Sequence, residues 1–169
     1  MPSVKYTLLT EILKELRETS FTREPGDNVL SIDKENIVFR KVSVADREEN
    51  KGKRNEGLPG LIVSTPRSTE QVVEGGENAR DEWHHKFLIQ IVSGDIDPEE
   101  NIASFWAWQE KIVDLFNFTR LAGVIQHPVG CISNVIVRFC DDVDEKYWVK
   151  HQKFVAGVEV TAIVFKDRE

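Results

Sequence analysis

The chain has 169 residues, a formal net charge of −7, 40% hydrophobic and 30% charged residues. That length suits one domain able to bury about 70% of its unfolded surface. The acidic balance disfavours a general or sequence-specific nucleic-acid binder, which needs a basic field to displace counterions from phosphates.

No apolar run approaches the ~20 residues of a membrane span. Met1, Pro2, Ser3, Val4 and Lys5 lead directly into an amphipathic pattern, so no signal peptide is expected. Val4, Leu8, Leu9, Ile12, Leu13 and Leu16 share one face at helical spacing, which predicts a helix docking one side on a core. Phe21 is expected to pack after that helix ends, and 23–28 reads as a turn. Residues 29–32 form a short candidate strand and 37–44 a fuller one, rich in β-branched side chains. Composition then changes abruptly. Residues 45–60 are charged and glycine-bearing with almost nothing to bury, which predicts a mobile loop. Its cations Arg47, Lys51, Lys53 and Arg54 are the candidate subunit-interface residues, interspersed with Asp46, Glu48, Glu49 and Glu56.

Residues 61–64 return to strand until Pro66, and 69–73 are a further candidate before the turn at 74–78. Over 83–92, Trp83, Phe87, Ile89 and Ile91 alternate with His84, Lys86 and Gln90, which predicts a strand with one buried face. Asp97, Pro98 and Glu100 then signal a capped helix start, and apolar residues from Ile102 to Phe116 occupy more than one stripe. This second helix is therefore expected to bury more than one face, with Phe105 and Trp106 both in the core. Residues 132–139 read as a strand, 141–145 as an acidic turn and 155–165 as the last strand. In that strand Val158, Val160, Ala162 and Val164 are expected on one face, opposite Glu159, Thr161 and Ile163. Strands cluster rather than alternate with helices. The expected fold is thus a single α+β domain over 1–169, a mostly antiparallel sheet with an N-terminal and a central helix packed on it.

The candidate chemistry is sparse. His84 and His85 on a strand point to opposite faces and cannot share one ion. His127, Cys131 and Cys140 match no zinc spacing, and the two cysteines read most simply as reduced, buried thiols. The acids at 141–145 lack the glycine and distal glutamate of a calcium loop. No G-x-S-x-G elbow or Cys–His pair with a nucleophile context is present. No metal, cofactor or catalytic residue is expected, and the chain is not expected to be an enzyme.

Taken together, three features resemble the tail-terminator (tail-completion, minor tail) proteins of long-tailed bacteriophages and prophages. They are the Leu8–Leu9/Ile12–Leu13/Leu16 helix with the early strand pair and its charged insertion, the strand at 87–92 running into a long helix, and the closing strand and acidic turn followed by a last strand at 157–165. The resemblance implies a structural virion protein: a homo-oligomeric ring, usually hexameric, that caps the tail tube and docks on the head. Its implied partners are further copies of itself, tail-tube proteins and head-completion proteins. Its implied location is the bacterial host cytoplasm during assembly, then the virion tail or neck. An alternative from the residues is a small-ligand or enzymatic domain with an aromatic pocket built from Trp83, Trp106, Trp108 and Trp148.

Overall fold

A computed structural model describes residues 3–22, 31–39, 59–65, 80–94, 98–118, 121, 131–140 and 153–167. In chain order these are helix α1 (Val4–Glu18), a one-turn 3-10 helix (Lys34–Asn36), strands β1 (Ile37–Phe39), β2 (Gly60–Ser64) and β3 (Arg80–Gly94), helix α2 (Pro98–Phe118), and strands β4 (Cys131–Cys140) and β5 (Lys153–Asp167). The α+β class and the mostly antiparallel sheet are as the sequence predicts. The sequence-predicted elements at 23–28, 69–73, 74–78 and 141–145 lie outside the described residues.

The five strands form one sheet in the order β1-β2-β3-β5-β4. Two 15-residue strands make its centre, β3 and β5, antiparallel along their full length from Arg80↔Asp167 to Gly94↔Lys153. Register decides the core. Phe87, Ile89 and Ile91 stand opposite Val160, Val158 and Ala156, and all six are buried. Leu61 and Val63 of β2 extend that row against Ile91 and Ile89, and Ile37 of β1 extends it again. A one-residue slip would turn the whole set to the opposite face, so this apolar row fixes the pairing.

One pair departs from the antiparallel pattern. β1 runs parallel to β2, with Ile37 opposite Leu61 and Phe39 opposite Val63. The chain between them therefore has to cross over, where antiparallel neighbours need only a hairpin. Gly60, expected to end the charged loop, instead begins β2 opposite Val92. The short strand expected at 29–32 is reduced, among the described residues, to a single bridge between Ser31 and Thr22.

Both helices contribute to the one hydrophobic core. α1 is started by Ser3, whose Oγ accepts the Tyr6 N–H at 3.2 Å. It buries Leu8, Leu9, Ile12 and Leu16 beside β1, as its periodicity predicts. Arg17, in its last turn, donates from Nε and Nη2 to the Ile37 carbonyl at 3.2 and 2.9 Å, tying the helix to the sheet edge. α2 lies over β4 and β5. Its buried side chains among the described residues, Ser104, Phe105, Trp108, Gln109, Ile112 and Phe116, form a single stripe. The expectation of two buried faces is thus corrected: Trp106, one residue past Phe105 and so about 100° around the helix, is 47% exposed. Gln109 takes a core position instead, because its Nε2 donates to the Gly157 carbonyl of β5 at 3.2 Å. Across the helix gap, Lys111 of α2 reaches the Ser20 carbonyl and stands 5.9 Å from the Phe21 ring, just after α1.

Candidate interaction surfaces

The interface loop predicted from sequence cannot be placed, since Arg47, Lys51, Lys53 and Arg54 lie outside the described residues. What the structure does place are His84 and His85, Trp83, Trp106 and Trp108, one sheet face and four exposed large apolar side chains, while His127 lies outside the described residues.

His84 and His85 point to opposite faces of β3, as strand geometry requires. His84 is on the face away from the core row, with its Nε2 2.6 Å from Glu82 Oε1 two residues back on the same face. His85 shares the core face with Phe87 and sits opposite Ala162. It is buried, stacks on Trp83 at 6.2 Å between ring centroids, and its Nδ1 has no hydrogen-bond partner among the described residues. Burial holds its pKa below the ordinary value of 6.5, and the charges of Lys5 on α1 and of His84 lower it further. Burial on the core face of β3 thus disfavours the charged imidazolium. Strand parity carries the signal for this placement: Trp83 and Phe87 on the core face require His85 between them.

Trp108 is buried and meets Phe105 edge-on at 5.6 Å, while Trp106 leaves the helix on a different side and is half exposed. These two tryptophans do not converge on a common cavity, and Trp148 lies outside the described residues. Cys140, the last residue of β4, is half-buried. No group of three His, Cys, Asp or Glu side chains suited to a metal ion occurs among the described residues.

The second sheet face is of mixed character. Lys86, Thr161 and Ile136 are in line across β3, β5 and β4, as are Leu88, Glu159 and Arg138. Thr161 and Ile163 are buried here as well, although they face away from the core row. Long side chains on neighbouring strands can shield short ones at the centre of a sheet.

Four large apolar side chains remain exposed among the described residues: Tyr6 (62%), Phe39 (40%), Trp106 (47%) and Phe139 (57%). Tyr6 lies outside the α1 apolar stripe and was legible as such. Phe39 and Phe139 are missed by periodicity, because both occupy the core face by register, opposite Val63 and Val158, yet stand on the outermost strands. No helix among the described residues is long and apolar enough to cross a membrane.

No family model matches this chain, and no curated protein matches it.

Proposed function

We propose that the protein is a non-enzymatic structural subunit that assembles into a ring, in the manner of the phage tail-terminator proteins its sequence resembles. The observation that carries this reading is the exposure of Tyr6, Phe39, Trp106 and Phe139 around a sheet whose core row is fully buried. Exposed apolar side chains that join into a patch mark contact surfaces, and assembly through these four is what the proposal adds. The element order of the fold supports the same reading: helix, early strand pair separated by the charged insertion, long strand into long helix, then two closing strands. The location in the host cytoplasm and virion tail, the head and tail-tube partners, and the interface role of Arg47, Lys51, Lys53 and Arg54 belong to this proposal.

The loop role has its own test. Replacement of residues 46–56 by a Gly-Ser linker is expected to preserve the fold by circular dichroism and to weaken oligomerisation in light scattering. The linker has to let the chain cross between the parallel strands β1 and β2. Unchanged assembly in this variant would remove the loop from the interface.

A further inference from the structure

Strand β4 ends the sheet, paired with β5 on one side and with no described strand on the other. Its hydrogen bonding shows which residues face the open side. Val135 stands opposite Ala162, yet its N–H is donated to Asn134 Oδ1 at 2.9 Å, away from β5. In an antiparallel ladder the N–H and C=O of one residue share a side, and alternate residues share it too. Val137 and Phe139 therefore also turn their main-chain groups to the open side. The guards that close such an edge are few here. No Pro or Lys occurs in 134–140, and the irregularity between Ile132 and Asn134 lies ahead of this stretch.

The chemistry that fits this edge is displayed by the strand on its other side. Residues 158–162 of β5 read Val-Glu-Val-Thr-Ala and stand opposite Phe139, Arg138, Val137, Ile136 and Val135 in turn. Apolar side chains thus meet Phe139, Val137 and Val135 on the core face, and a carboxylate stands across from Arg138 on the second face. Neither set is used up by β5. Val135 and Val137 are only half-buried, and Phe139 is 57% exposed. Arg138 is exposed and makes no ion pair among the described residues.

We infer that the open edge of β4 takes up an extended segment of another protein as an added antiparallel strand, with β-branched side chains against Val135, Val137 and Phe139 and a carboxylate against Arg138. Main-chain bonds to Val137 and Phe139 hold the segment, and the alternating side chains select it. A second copy of this chain does not meet the need from its described strands. Only β1 and β4 have a free edge there, β1 has three residues, and neither strand carries a carboxylate. Strand addition of this kind is independent of ring assembly; Phe139 is the one side chain common to both.

The experiment is fluorescence anisotropy, with the full chain titrated into the fluorescein-labelled peptide Gly-Val-Glu-Val-Thr-Val-Gly and the protein's mass read by light scattering on the same samples. Val137→Pro removes an N–H on the open side and leaves the β5 ladder its bonds. Two further peptides carry N-methyl groups, one on its valines, which face β4, and one on Glu and Thr, which face away. Saturable binding is expected for wild type with the plain and the Glu/Thr-methylated peptides. Loss of binding is expected for Val137→Pro and for the valine-methylated peptide. Arg138→Glu is expected to lose the plain peptide and to gain one with Lys in place of Glu. Should Val137→Pro fold poorly by circular dichroism, the methylated peptides decide the question on unaltered protein. No saturable binding by wild type, or equal binding of the two methylated peptides, would overturn strand addition. Unchanged binding by Arg138→Glu would overturn the carboxylate. An oligomeric wild type made monomeric by Val137→Pro would put a second copy on this edge and overturn its assignment to another protein. A monomeric wild type that binds the peptide would overturn the ring reading alone.

Discussion

The sharpest consequence of the α2 geometry is a difference between two neighbouring tryptophans. Trp108 is 1% exposed and Trp106 47% exposed. A buried tryptophan removes on the order of 200 Å² from water, worth about 5 kcal/mol at ~25 cal/mol per Å². Alanine retains a small part of this and leaves a cavity, so Trp108→Ala is expected to cost about 3–5 kcal/mol. Trp106 has about half that area at stake, and alanine regains about half a kcal/mol of helix propensity, so Trp106→Ala should cost about 1–2 kcal/mol. Urea unfolding followed by far-UV circular dichroism reads both, the shift in midpoint at constant slope giving the change in stability. If the wild type is oligomeric, the comparison belongs at a concentration low enough for both chains to be monomeric, so that lost contacts between subunits do not enter the Trp106 value. Equal losses for the two variants would refute the single-stripe burial of α2. A Phe105→Ala, Trp108→Ala cycle should also show a coupling of about 0.5–1.5 kcal/mol from their edge-to-face contact.

Three further outcomes follow from particular contacts. His85 is held below its ordinary pKa of 6.5 by burial, so the unfolded chain takes up this proton before the folded one does. Stability carried by neutral His85 is complete above that value and is lost as pH falls through it toward the folded pKa, and His85→Leu should flatten the change in urea midpoint between about pH 7 and about pH 5.5. A Cβ at Gly157 would lie 3.2 Å from the Cys140 carbonyl oxygen and 3.5 Å from Leu88 Cδ1; Gly157→Ala should lower stability by about 1 kcal/mol, a crowding cost partly offset by the stiffer unfolded chain, and a raised melting temperature would show that β4 and β3 give way freely. Arg17→Met keeps the aliphatic stem but loses both bonds to Ile37, and should cost about 1 kcal/mol in thermal unfolding, a value held down by partial exposure; no loss would mean that the α1–β1 tie contributes nothing in solution.

The strands were legible where one face is wholly apolar. Phe87, Ile89 and Ile91 with Val158 and Val160 name the core face at period two, and the register follows from matching these rows. Hydropathy alone misplaced Trp106 and gives no sign of Gln109, because burial in α2 is decided by the stripe: Gln109 goes inside where it finds the Gly157 carbonyl, and Trp106 stays out. His85 was obscured for the same reason, a polar type in an apolar row. The parallel pairing of β1 with β2 was not legible, since side-chain alternation is the same for either strand direction and only the connection differs. Of the candidate interface, Tyr6 could be read as off-stripe. Phe39 and Phe139 could not be told from core residues, because exposure at a sheet edge depends on strand order and not on the residue's own strand.

The central claim is self-association through exposed aromatic side chains. Light scattering on the purified wild-type chain over a wide concentration range tests it most directly. The account predicts one discrete species whose mass is a fixed multiple of the 19.4 kDa protomer, dissociating only on dilution. A protomer-sized species at every concentration would contradict it.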